Sequence, residues 1–208
     1  MIVKTVPVTK YLTINAYFYI DEKTAGGVLI DPGAEANKLL QVIDDNQWVI
    51  TKILLTHGHF DHIGAVKQLV EELKIPYYIL ASGQQYLTDP QFNLSAMTGD
   101  EIVLSEACYL HDGDIVNLFE NSEASLQVIA VPGHTLDGVI YYDAANSVAF
   151  AGDTIFQNSY GATHFPGGDF TQLMDSIKNK ILKLPNETIL YPGHDAATSV
   201  MAEKLNFK

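Results

Sequence analysis

The sequence predicts an α/β protein in which two sheets pack face to face with helices on their outer sides. Two strand-rich blocks of similar pattern, residues 2–31 and 114–153, are each accompanied by segments whose apolar residues recur at helical spacing. No Pro-, Gly- or Ser-rich linker separates them, so one domain over residues 1–208 is expected, long enough to bury about 70% of its unfolded surface.

The elements follow in order. VKTVPV, INAYFYI and GVLID are short apolar or alternating runs, and DEKTAGG supplies a hairpin turn between the last two, which gives a meander. Its aromatic residues are expected in the core. After Pro32-Gly33, AEANKLLQVIDDNQ places Leu39, Leu40 and Ile43 at helical spacing, and VITKILLT returns to an unbroken apolar strand. Ile63, Val66, Leu69, Val70 and Leu73 predict one helix beginning at Asp61 or His62, followed by a strand in PYYILA. Residues 82–108 have no sustained period and read as a surface excursion with a helical turn near Gly83–Leu87. The second block comprises DIVNLFE, LQVIAVP, GVIYYDA and SVAFAGD, separated by HDGD, DGV and AAN turns. One continuous helix is expected in FTQLMDSIKNKILKL, then a strand in ETILY and a short tail.

A formal charge of −13 disfavours nucleic acid and anionic lipid as partners. No run approaches the roughly eighteen apolar residues of a membrane span. A single cysteine, Cys108, cannot form an internal disulfide and is expected to pack as a small hydrophobe, and the N-terminus lacks the pattern of a secretory signal; together these predict a cytoplasmic protein.

Comparison within the chain locates the chemistry. ILLTHGH, VIAVPGH and TILYPGH each place Gly-His just beyond an apolar strand, VAFAGDT ends on Asp153, and GVLID ends on Asp31. A buried strand fixes the backbone, and glycine is expected to allow a tight turn that exposes the following side chain in a cleft. Histidine nitrogens and carboxylate oxygens suit Zn²⁺, Fe²⁺ or Mn²⁺. His57 and His59, two apart on extended chain, point the same way and form one set with His134; Asp61 and His62, at a helix start, point to a second set completed by His194. Asp153, with two oxygens, is expected to bridge two ions. Five of the seven histidines stand in these positions. His111, in the HDGD turn, reads as solvated, His164 as a residue of the cleft, and Asp31 as a carboxylate that orients a ligating histidine.

THGHFDHIGA, VPGHT, AGDTIF and YPGH, in this order and with these gaps, resemble the metallo-β-lactamase-fold hydrolases, and LIDPG matches that family's early strand-end aspartate. The resemblance runs from about Asn15 to His194. It implies a four-layer αββα sandwich and two divalent ions, zinc foremost with iron or manganese as alternatives. The implied ligands are His57, His59, His134, Asp61, His62, His194 and bridging Asp153. His62 resembles the glyoxalase II group of thioester hydrolases more than the commonest β-lactamases. SYGATHFPGGD and DPQFNLS are similar to the small bacterial members of that group, which makes Tyr160 and His164 the expected substrate contacts. Ala162 stands where those relatives carry Arg or Lys, and the chain ends at Lys208 without the helical region with which longer relatives hold glutathione. The resemblance implies a binuclear hydrolase of a small acyl substrate, foremost a thioester such as S-lactoylglutathione, with Asp61 orienting the nucleophile. A mononuclear iron persulfide dioxygenase and a non-catalytic metal-containing binding module are the alternatives. Oligomeric state is not specified by these features.

Overall fold

The computed structural model describes residues 1–119 and 122–207. The chain opens with β1 (Ile2–Thr9), β2 (Thr13–Ile20) and β3 (Gly26–Ile30), then α1 (Ala36–Asn46), β4 (Val49–Leu54), the single-turn α2 (Phe60–Ile63), α3 (Val66–Leu73) and β5 (Tyr77–Leu80). A 3₁₀ turn at Ala81–Gly83, α4 (Gln84–Thr88) and a second 3₁₀ turn at Ser95–Met97 lead to β6 (Cys108–Leu110). The second half runs β7 (Ile115–Asn117), β8 (Ser125–Ala130), β9 (Val139–Asp143), β10 (Val148–Gly152), the hairpin β11 (Ile155–Phe156) and β12 (Ser159–Tyr160), α5 (Phe170–Asn179), a 3₁₀ turn at Ile181–Lys183, β13 (Ile189–Pro192), β14 (Thr198–Ser199) and α6 (Val200–Glu203).

Two six-stranded sheets result among the described residues. The first has the order β1-β2-β3-β4-β5-β6, antiparallel up to β3 and parallel from there on. The second has the order β14-β13-β10-β9-β8-β7, with a parallel β10–β13 pair among antiparallel neighbours. Period-two alternation sorts each strand's side chains between layers. Tyr17, Tyr19, Val28, Ile30, Val139, Tyr141 and Phe150 fill the space between the sheets. Phe18, Leu29 and Ile53 face outward onto α1 and α3 through Leu39, Ile43, Val66 and Leu69. Ile140, Tyr142 and Ala149 face α5 through Leu173 and Ile177. The expected αββα layering is thus what the burial pattern produces.

Several elements differ from the expectation. The helix expected from Asp61 is divided at Gly64-Ala65, because the Ala65 N–H donates to Pro32 O at 2.9 Å instead of continuing the helical ladder. The last helix stops at Asn179; Asp169 caps its start by accepting from the Gln172 N–H, and beyond Lys180 the 3₁₀ turn buries Ile181 and Leu182. The tail forms β14 and α6, pinned by fully buried Glu203, which accepts from Thr198 Oγ1 at 2.6 Å and from the Asn158 N–H at 3.1 Å. Strand β6, which begins at the last residue of the segment read as an excursion, pairs in parallel with β5, and its Cys108 is half-buried. The DIVNLFE strand closes at Asn117, and its expected last residue, Glu120, lies outside the described residues, as does Lys208. The excursion is also not a bare surface loop. Asn93, fully buried, donates to Tyr86 O and Ile102 O and accepts from the Ser95 N–H, while its carbonyl accepts from the Phe60 N–H at 2.9 Å. That last bond ties the excursion to the residue before Asp61.

Candidate metal centre

The carboxyl ends of β3, β4, β8, β10 and β13 meet at one edge of the sandwich. Hydrogen bonds close this edge between the sheets: Val139 N–H donates to Thr56 O at 2.9 Å, Asn15 N–H to Gly193 O at 2.8 Å, and the Tyr17 side-chain OH to Pro192 O at 2.6 Å. His57 and His59 follow β4, Asp61 and His62 lie in α2, His134 follows β8, Asp153 follows β10 and His194 follows β13. Of the three Gly-His turns, only that of Gly133 uses a conformation reserved for glycine, with φ +137°. At Gly193 the requirement is space, since a Cβ there would lie 2.2 Å from Asp153 Oδ1.

The seven residues converge. His57 Nε2 stands 3.2 Å from His59 Nδ1, and His134 Nε2 stands 3.0 Å from the same atom. On the other side, His194 Nε2 lies 3.2 Å from Asp61 Oδ2, and His62 Nε2 lies 3.9 Å from it. Asp153 lies between the sets: its Oδ1 is 3.4 Å from His62 Nε2, and its Oδ2 is 3.4 Å from His194 Nε2 and 3.7 Å from His134 Nε2. The donor atoms of His57, His59 and His134 form one compact trio, those of Asp61, His62 and His194 a second, and those of His57, His62 and Asp153 a third that joins the two.

The far ring nitrogens fix the tautomers. His134 Nδ1–H donates to Ala162 O at 2.7 Å, and His194 Nδ1–H to Thr13 O at 2.8 Å. His62 Nδ1–H donates to Asp31 Oδ2 at 3.0 Å; that oxygen also accepts from Thr56 Oγ1–H at 2.6 Å, and the threonine oxygen accepts from His57 Nδ1–H at 3.2 Å. Asp31 therefore orients one histidine directly and a second through Thr56. The inner nitrogens of His57, His59 and His134 are left with lone pairs facing one another. His62 Nε2 and Asp153 Oδ1 are buried without any hydrogen-bond partner, a costly arrangement unless a cation lies between such donors. The donor set fits divalent transition ions.

Charge is distributed unevenly across the centre. Burial, reinforced by neighbouring histidines, holds His57 well below the ordinary imidazole range and brings His59 down to about 3; burial also lowers His134. Burial opposes charge on His62 and His194 too, but there the carboxylates outweigh it. Asp153, Asp61 and Asp31 raise His62 well above its ordinary value, and bonds to Asp153 and Asp61 bring His194 up to about 10. Burial works against ionisation of Asp61 and Asp153, yet the adjacent histidines keep both below the usual carboxylate range.

Above the donors opens a cavity of about 490 Å³. Two expected substrate contacts stand outside its lining. The short β11–β12 hairpin turns Tyr160 away, onto the rings of Phe170 at 5.7 Å and Phe207 at 6.2 Å, and His164 is exposed beside Phe165. Ala162 and Phe165, from the same segment, line the cavity in their place. Sequence reasoning missed Phe165 and Asn93; DPQFNLS, noted only as a resemblance, was the available signal for the second. His111 is exposed, 3.8 Å from Asp114, as a solvated turn residue should be.

Comparison with known proteins agrees with this geometry. Residues 10–194 match the metallo-beta-lactamase superfamily. The chain belongs to that superfamily. Among its relatives in the superfamily, hydroxyacylglutathione hydrolase GloC of Haemophilus influenzae is 31% identical over 207 residues, covering 98% of this chain and 95% of that protein. The crystal structure of BLEG-1 B3 metallo-beta-lactamase superposes with a TM-score of 0.90 at 35% identity, covering 97% of this chain and 96% of that one. TTHA1623 in a di-iron-bound form gives 0.83 at 36% identity, with 96% of each chain covered. The metallo-beta-lactamase fold and a metal-binding hydrolase centre follow for this member of the superfamily.

Proposed function

We propose that the centre holds two divalent ions and hydrolyses a small acyl thioester. The observation that carries this reading is the position of Asp153, whose carboxylate reaches His134 on one side and His62 and His194 on the other. His57, His59 and His134 would hold one ion, Asp61, His62 and His194 the other, and Asp153 both. When bound, such a pair supplies a water ionised near neutral pH and polarisation of the substrate carbonyl. Asp61, kept anionic by its histidine neighbours and facing the cavity, orients the attacking water. Water adds to the carbonyl carbon, the C–S bond breaks, and the products are a carboxylate and a thiol. The similarity to GloC supports the thioester. The unpaired Cys108 supports a reduced, cytoplasmic setting. The similarity to BLEG-1 carries a second reading, hydrolysis of a β-lactam amide by the same centre.

Elemental analysis after reconstitution with zinc or iron should give close to two ions per chain, and the loaded protein should hydrolyse members of a thioester panel. Asp153→Ala should lose nearly all activity while retaining its circular dichroism. One ion per chain under excess metal, with oxygen uptake on persulfides, would overturn the binuclear hydrolase; turnover of β-lactams alone would select the second reading.

A further inference from the structure

The cavity above the donors has a composition that restricts what enters it, and the inference drawn from this rests on the hydrolase reading above. Its floor is formed by His59, Asp61, His134, Asp153 and His194. Apart from Thr98, its walls are apolar: Tyr11 and Leu12 from the β1–β2 turn, Leu94 and Met97 from the segment after α4, Phe156 from β11, and Phe165. Tyr11, Leu12 and Met97 are 48%, 52% and 76% exposed, and an apolar surface open at a cleft marks a binding site for apolar matter. Among the described residues, no lysine or arginine lines the cavity. The adjacent cation, Lys10, is held by Asp100 in an ion pair that ties the β1–β2 turn to the opposite wall. A bound peptide bearing carboxylates away from the donors would lose hydration along these walls without a lysine or arginine to pair with, in a chain that already carries −13.

We propose that the substrate is a medium-chain acyl thioester whose hydrocarbon chain lies along Leu12, Leu94, Met97, Phe156 and Phe165, with the scissile carbonyl at the donors and no charged group inside the cavity. The volume of about 490 Å³ falls within the range of small-molecule sites, roughly 300–1,000 Å³. Each methylene taken from water into such walls favours binding by about fourfold.

Binding and turnover are tested separately. Non-hydrolysable S-alkyl thioethers of N-acetylcysteamine, from ethyl to octyl, are titrated into the metal-loaded protein by calorimetry. Affinity should rise about fourfold per methylene until the cavity is filled, with a negative heat-capacity change. A flat series overturns the proposal whatever the enzyme turns over. In the matching acyl thioester series, kcat/KM should follow the same slope. Saturation by S-lactoylglutathione at low micromolar concentration without a chain-length gain overturns the proposal and leaves the hydrolase reading intact. Chain-length-dependent binding without hydrolysis of any thioester sinks the hydrolase reading and with it the assignment of an acyl thioester as substrate, leaving only the apolar site. Met97→Lys and Leu12→Lys, at exposed positions that tolerate the change, should each weaken octyl binding about tenfold; folded variants with unchanged octyl affinity overturn the assignment of these walls.

Discussion

Asp31 sits in the left-handed region, φ +49°, fully buried and without contact to the cavity, yet its carboxylate accepts from the Thr56 N–H at 2.7 Å, from the Thr56 hydroxyl and from His62. Asp31→Ala should lower metal affinity by about 10–100-fold, measured by chelator competition, because His62 and His57 lose their orientation. Asp137 presents the opposite case, a buried carboxyl that Thr135 and the backbone at Asp137 and Gly58 approach without well-formed hydrogen bonds, and that burial pushes up to about 7 from 3.8. Between those two values the unfolded chain ionises this group while the native protein keeps it protonated, so stability declines as pH rises through the window and stays lower above it. Asp137→Asn should remove the decline, leaving the metal-free variant more stable than wild type at pH 8 by on the order of a few kcal/mol and little changed at pH 4, as read from urea midpoints. At this scale the seven converging residues were legible, because His57, His59, His134, Asp153 and His194 stand just beyond apolar runs and Asp61 and His62 open the next helix. Tyr160 and His164 were not, since which side of a two-residue strand faces a cavity depends on how its hairpin docks, a feature with no local signature.

Each strand delivers its ligand through a short turn, and the turn after β8 is the most constrained. Gly133 has φ +137°, and a Cβ there would lie 2.2 Å from the Leu173 backbone nitrogen at the start of α5. Gly133→Ala should therefore cost about 2–4 kcal/mol, seen as a lowered denaturation midpoint, and should reduce metal binding because His134 is the next residue. The longer strands and α1 were readable from periodicity, which reports burial directly, whereas the two-residue strands β11, β12 and β14 were not. The breaks were not: Ala65 leaves the helical ladder for a carbonyl more than thirty residues away, and β6 is only three residues long, too short for alternation to show. The excursion reads as loop because polar Asn93 and Ser95 hold it together from inside, and only tertiary hydrogen bonding distinguishes them from solvated residues.

Over the whole molecule, the two ligand sets differ in the charge they carry before metal arrives. His57, His59 and His134 are neutral at pH 7, whereas His62 and His194 are protonated among three carboxylates. Loading the first set should release essentially no protons. Loading the second should release about two per ion, because both imidazoles must give up a proton to bind, and affinity there should fall faster on acidification. Calorimetry in buffers of different ionisation enthalpy measures the count; equal release at both steps would contradict the assignment. The layered architecture was legible from the two strand blocks and the helices beside them. The spacing between the ligand sets was not, since it depends on how the sheets dock through Val139–Thr56 and Asn15–Gly193.

Each ligand set takes two residues from the first half of the chain and one from the second: His57 and His59 with His134, Asp61 and His62 with His194. Neither half-sandwich alone can chelate an ion with a complete trio. On the two-ion proposal, capture by a complete trio would therefore wait until residues far apart in sequence have met, late in the maturation of the newly made chain. A nascent chain released with only its first sheet formed would lack the third residue of each trio, so under the two-ion proposal metal uptake would distinguish an assembled molecule from a half-built one.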